Sequence, residues 1–161
     1  MKFSTTPAEF PYKKGDIIDA AVRLDKNEYM GQVRVSVHIR EIKDSKTDDD
    51  KCLRSRRIFE KIMRGEPLLS QEKHIASTER NDIVRVYKYI KQQNSIPDDA
   101  ELLCYRLGDD GENHCKFLVA VEALCELGLV ERTGDNELRL TPDQSKVDLD
   151  SSPILKKLRN I

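Results

Sequence analysis

A chain of 161 residues with a formal net charge of -1 has room for one ordinary domain or two small ones and no overall bias toward polyanions. Tryptophan is absent and aromatic residues reach only 6%, which limits how many nucleic-acid bases could be stacked. No apolar run approaches the roughly 18 residues of a membrane span, and the four cysteines include no CxxC pair, so the expectation is reduced thiols in a soluble cytoplasmic protein.

The chain opens on Met1–Tyr12, where Pro7 and Pro11 interrupt a short stretch and Lys2–Thr6 reads as a strand remnant. A beginning on a strand points to a piece of something longer. From Asp16 to Ile42 the pattern is strictly alternating. Ile18, Ala20, Val22 and Leu24 share one face, with Asp19, Ala21, Arg23 and Asp25 on the other. In a second run, Val33, Val35, Val37 and Ile39 alternate with Gln32, Arg34, Ser36, His38 and Arg40. Period-two alternation of this length predicts a half-buried antiparallel pair, one face on a core. The turn falls within Asn27–Gly31. Setting Val22 opposite Val37 brings Asp25 to Arg34 and Asp19 to Arg40, about 0.2–1 kcal/mol better per pair than opposing Arg23 to Arg34.

Beyond Ile42 the polar run KDSKTDDDK reads as a solvated linker, acidic triplet included. Lys51–Met63 then turns helical, with Leu53, Ile58, Phe59 and Ile62 forming a stripe among Arg54, Arg56, Arg57 and Lys61. Gly65 and Pro67 end this helix, and Leu68–Ser77 allows a short helical turn. Cap-type residues at Ser77–Asp82 start another helix, running to about Gln93 and burying Ile83, Val86, Tyr87 and Ile90. Pro97 closes the next turn, Asp98-Asp99 opens a helix to about Leu107, and an apolar helix follows from about Asn113 to Leu127, with Gly128 beyond its end. Short strands are expected at Leu129–Glu131 and Glu137–Leu140, a strand-like segment at Val147–Leu149 and a short helix near Pro153–Leu158. Three helices and a β-hairpin give the order of a winged helix. The fold class is α+β, with hairpin strands over 1–43, a linker and basic helix over 44–77, and a winged-helix-like domain over 78–161.

The chemistry is sparse. There is no P-loop, GxSxG, HExxH or clustered His/Asp motif, so no catalytic residue is expected. His114 with Cys104, Cys115 and Cys125 would offer zinc-type donors, but Cys115 and Cys125 sit on an apolar helix where packing explains them, and no metal is expected.

The hairpin is better supplied for nucleic acid. Arg23, Arg34, His38 and Arg40 share a face, with Lys26, Asn27 and Tyr29 at the tip, the mix of cations and an aromatic with which strand surfaces hold single strands. Its alternative is a solvated outer face balanced by Asp19 and Asp25. Arg54, Arg56 and Arg57 add a second cationic group, whose alternative is an ordinary exposed helix.

The winged-helix half argues against duplex reading. Its third helix offers only His114 and Lys116 as readers and projects Glu122 and Glu126, while the wing and the segment after it carry Glu131, Asp135, Glu137 and Asp143. Glu122 and Glu126 are therefore candidates for binding a protein partner, and Arg85, Lys88 and Lys91 on the first helix are the only cations there suited to DNA.

The stretch with Gly15-Asp16, Asn27-Glu28-Tyr29 and Gly31 between alternating strands resembles the later OB-fold strands of RecJ-type single-strand-specific DNA exonucleases. ERNDIVRVYKYIK, the run Leu124–Glu131 and KVDLDSSPILKKL are similar to the C-terminal extension of certain bacterial members. Where that family often has Ile-Arg-Asp, this chain has Ile39-Arg40-Glu41, which keeps the charge pattern. The resemblance implies a parent 5′→3′ exonuclease using manganese or magnesium at Asp/His motifs, none of which is present, so no cofactor is expected in this region. It also implies a non-catalytic role in holding single-stranded DNA, in docking repair or replication proteins, or in both. The alternative is a protein-interaction module built on the acidic winged helix. An incomplete OB sheet leaves an open strand edge, so the isolated chain is expected to self-associate.

Overall fold

The computed structural model describes residues 10, 12–134, 136–142 and 146–161, and the chain divides into two compact units, Met1–Lys46 and Thr47–Ile161. The expected strand remnant at Lys2–Thr6 and the acids Asp135 and Asp143 lie outside the described residues. The molecule is α+β: a two-stranded hairpin in the first unit, and helices with a small sheet in the second.

In the first unit, β1 (Ile18–Tyr29) pairs antiparallel with β2 (Gln32–Asp44) through a two-residue turn at Met30-Gly31. Both turn residues have positive φ, 51° and 74°, a conformation whose twist matches that of paired strands. This turn corrects the charge-based register. Val22 faces Ile39 rather than Val37, and Arg34 faces Asn27 rather than Asp25. The expected register needed a wider loop over Glu28–Gly31, and a few tenths of a kcal/mol per ion pair did not outweigh the tight turn. Asp25 finds other partners, accepting from Arg23 Nε at 2.9 Å and lying 3.4 Å from His38 Nε2.

A bulge falls where the ladder steps from Val22–Ile39 to Ala21–Glu41, leaving Arg40 as the extra residue. The bulge shifts the alternation by one, so Ile42, opposite Ala20, joins Ile39 and Val37 on the apolar face. That face was expected to lie on a core. Within its unit nothing among the described residues covers it: Val22, Leu24, Val33, Val35 and Val37 are about half exposed or more, Leu24 reaching 64%.

The second unit begins with α1 (Asp49–Arg64) and α2 (Ser70–Ala76). The acidic run is part of the helix start rather than linker. Asp48 caps α1, its carboxylate accepting from the N–H groups of Asp50 and Lys51 at 3.1 and 3.2 Å, while Asp49 and Asp50 sit in the first turn, where the helix dipole favours acid. Gly65 closes α1 at φ 70°, the left-handed conformation suited to glycine. Cys52, Ser55, Ile58 and Ile62 recur at helical spacing and are buried, so α1 is a core element of this unit.

The order then runs α3 (Arg80–Gln93), β3 (Ser95–Pro97), α4 (Ala100–Arg106), α5 (His114–Glu126), β4 (Val130–Arg132) and β5 (Glu137–Leu140), followed by a 3-10 turn at Leu149–Ser151 and α6 (Pro153–Asn160). The 3-10 turn replaces the strand-like segment expected at Val147–Leu149. The sheet order is β3-β5-β4, with Ile96 opposite Leu138 and Val130 opposite Leu140. Strand β3 was not foreseen, since Pro97 reads as turn. Proline is tolerated there because β3 is an edge strand. Helix, strand, two helices and a hairpin in this pairing give the winged-helix-like arrangement expected from the sequence.

Helix α5 is the centre of the unit. Eight of its residues are buried: His114, Cys115, Phe117, Val119, Ala120, Val121, Ala123 and Leu124. It packs against α1, α2, α3, α4, α6 and β4. No helix among the described residues is long and apolar enough to cross a membrane.

Candidate nucleic-acid interface and a Cys-Glu-His cluster

The hairpin register decides which of the expected contact residues act together. Directly opposed residues project to the same side of a sheet. Arg23 opposes His38, Asn27 opposes Arg34 and Tyr29 opposes Gln32, so these six residues share one face. Lys26 does not join them; it opposes Val35 on the apolar face. Arg40 stands at the bulge, outside the regular alternation.

On the shared face Arg23 is held by Asp25, which also lies beside His38, and Asn27 Nδ2 donates to Ser36 Oγ at 2.7 Å. Among the described residues no acid pairs with Arg34. Tyr29, 75% exposed, presents its ring at the end of the strand next to the turn. The face therefore carries one uncommitted guanidinium, one exposed aromatic ring, and a polar row fixed by internal bonds.

In the second unit the cations of α1 are partly spent. Arg56 Nη2 donates to Glu101 at 2.9 Å, Lys51 to Asp110 at 2.6 Å and Lys61 to Glu72 at 2.7 Å. Arg54 and Arg57 line a shallow groove with Asp50, Leu53, Ile58, Lys61 and Glu72. On α3, Arg85 donates to the Leu107 carbonyl and lies over the Phe117 ring at 5.6 Å, so it serves packing.

The acidic residues assigned to partner binding are engaged within the fold. Glu122 accepts from Arg132 at 3.0 Å, and Arg132 also bonds Asp98 at 2.9 Å, fastening the strand pair to α5. Glu126 accepts from Ser152 Oγ at 2.6 Å and from the Ile154 N–H at 2.9 Å, satisfying the start of α6 where Pro153 has no N–H to offer. Charge reversal at either position would break these bonds within the unit. Helix α5 also cannot enter a groove, because its surface is occupied by the surrounding helices.

The second feature was missed from the sequence. His114, the first residue of α5, is completely buried, and neither ring nitrogen makes a hydrogen bond in the protein. The Cys104, Cys115 and Cys125 thiols are not its neighbours in the cluster. Instead Cys52 Sγ, a Glu101 carboxylate oxygen and a His114 ring nitrogen all lie within 4.8 Å of one another. Cys52 comes from the first turn of α1 and Glu101 from that of α4. Burial, reinforced by the Arg56 charge, pushes the imidazole down to about 4, so it is neutral near pH 7. Burial also pushes the Cys115 thiol up to about 12, which keeps it protonated and inert.

Above Cys52, Gly111 has φ 104°, and a Cβ there would sit 2.9 Å from Cys52 Sγ. Asp109 shapes the loop that carries this glycine, accepting from the N–H groups of Gly111 and Asn113 at 2.9 and 3.1 Å. The three donors are too far apart in sequence to form a spacing motif. The one legible signal was a histidine opening an otherwise apolar helix.

Comparison with protein-family models, curated proteins and solved structures finds no match to this chain.

Proposed function

We propose that the polar face of the hairpin holds single-stranded DNA, as the non-catalytic part of a RecJ-like single-strand-specific 5′→3′ exonuclease. The observation that carries this reading is the alignment of Arg23, Asn27, Tyr29, Arg34 and His38 on one side of the β1–β2 sheet. Arg34 supplies a charge for a backbone phosphate, and Tyr29 supplies a platform for a base. Asn27 and His38 border the strand path. Arg54 and Arg57 belong to the other unit, and the proposal does not depend on them. Protein docking through Glu122 and Glu126 is less favoured, since both carboxylates already have partners in the fold.

Fluorescence anisotropy with a labelled single-stranded oligonucleotide at low salt tests the proposal. Tyr29→Ala should cost about 1–3 kcal/mol of binding, the worth of one stacked base. Arg34→Ala should lower the slope of log K against log salt by about 0.7, the share of one phosphate on a single strand. Identical curves for the wild type and both variants would overturn it.

A further inference from the structure

We propose that Cys52, Glu101 and His114 form a binding site for a divalent transition-metal ion, with zinc the best match to the donors. The three ligand atoms lie within 4.8 Å of one another, close enough to share one ion. Sulfur, nitrogen and oxygen donors in one cluster favour zinc over magnesium or calcium, which take oxygen ligands.

The strongest support is the state of His114. A buried imidazole with two unbonded nitrogens is costly, because both polar atoms have left water without compensation. The Cys52 backbone approaches the ring as a weak hydrogen-bond partner but falls short of a formed bond to either nitrogen. A metal bond to one nitrogen would remove half of this deficit. Held by that bond, the ring could turn its other N–H toward the Cys52 carbonyl, the kind of backbone acceptor that commonly supports a ligating histidine.

The surroundings fit the same purpose. All three ligands stand in the first turns of helices, so the backbone holds them at fixed positions. Helix N-termini are electropositive, which favours the thiolate and carboxylate forms that a metal requires but opposes the ion itself. Asp48 and Asp99, capping α1 and α4, and Asp109 in the loop before α5 offset that field. Arg56 bonds one Glu101 oxygen at 2.9 Å, and the carboxylate has a second oxygen to offer the ion. The Glu101 side chain is 42% exposed, so this corner opens to solvent, giving the ion an entry path and a water for its fourth position. The absence of a Cβ at Gly111 leaves room for the Cys52 sulfur.

Binding proceeds without redox change. The Cys52 thiol releases its proton to solvent and the thiolate sulfur bonds the metal. Neutral His114 contributes a nitrogen lone pair, and the Glu101 carboxylate an oxygen. Thiolate and carboxylate together neutralise the ion's two charges.

The test uses the full chain, stripped with a chelator and titrated with Co(II), then with Zn(II) in competition. The wild type should bind one equivalent, show thiolate-to-cobalt charge-transfer absorption, and lose it as zinc displaces cobalt. Cys52→Ser should abolish the absorption and weaken zinc binding at least a hundredfold, and Glu101→Gln should weaken it at least tenfold, with far-ultraviolet circular dichroism reporting that each variant is folded. Should Cys52→Ser not fold, the half-exposed Glu101→Gln carries the test. A folded wild type with no stoichiometric binding would overturn the proposal. So would an absorption that persists in folded Cys52→Ser, which traces it to another cysteine, or unchanged zinc affinity in Glu101→Gln.

Discussion

Replacing Gly111 by alanine is the sharpest probe of how α1 and the loop before α5 fit together. At φ 104° an L-residue is strained whatever the space around it, and such conformations cost about 1–3 kcal/mol. The new methyl would also meet Cys52 Sγ at 2.9 Å and the Asp48 carbonyl at 3.4 Å, an overpacking worth about 1–3 kcal/mol. Loss of glycine's freedom in the unfolded chain returns about 0.4–1 kcal/mol. The net expectation is a loss of about 3 kcal/mol. In a Cys52→Ala background the sulfur overlap disappears and only the backbone strain and the Asp48 contact remain, so the same substitution should cost about 1–2 kcal/mol. Urea denaturation of the four chelator-treated proteins, followed by far-ultraviolet circular dichroism, measures both values. A coupling below about 0.5 kcal/mol between the two sites would refute the reasoning.

Other consequences can be checked the same way. Phe117, fully buried on α5, should cost about 3–5 kcal/mol when cut to alanine, read as a lower urea midpoint; a cost under about 1 kcal/mol would contradict its place in the core. The Glu72 carboxyl is held below its ordinary value of 4.5 by the Lys61 ammonium and by the Leu69 N–H. Its contribution to stability is complete above pH 4.5 and fades as pH falls through the folded value, so Glu72→Gln should flatten the acid side of the stability–pH curve. An unchanged acid limb would show that the pair is idle. Among the described residues the apolar hairpin face is exposed and each strand of the two-stranded sheet has an outer edge outside the ladder, so apparent mass in light scattering should rise with concentration, and Val35→Lys should suppress the rise. A strict monomer throughout would count against it.

The elements were legible wherever one local rule dominated. The apolar run from His114 to Glu126 could only be a buried helix, and Gly128 marked its end. The hairpin followed from alternation alone. Its register did not, because that depended on Met30 accepting a positive φ beside Gly31, which residue type does not advertise. Asp48–Asp50 read as linker because three acids look solvated, whereas the same acids are what a helix start favours. Strand β3 was hidden behind Pro97, admissible only because the strand lies at the sheet's edge. The polar hairpin face was visible as a set of residues, though Lys26 left that set once the pairing was known. The Cys52, Glu101 and His114 cluster was not visible, since it exists only when the starts of three helices converge.

The central position of α5 has a consequence for how this unit opens. Because every other helix of Thr47–Ile161 leans on it, no part of the unit can detach α5 without exposing Phe117, Val119 and Leu124 together. Its amide protons should therefore exchange with solvent only when the whole unit unfolds, while those of the hairpin, held mainly by neighbouring strands, exchange through opening events of their own. Deuterium uptake along the chain would then divide near Lys46, with α5 the slowest segment to take up label.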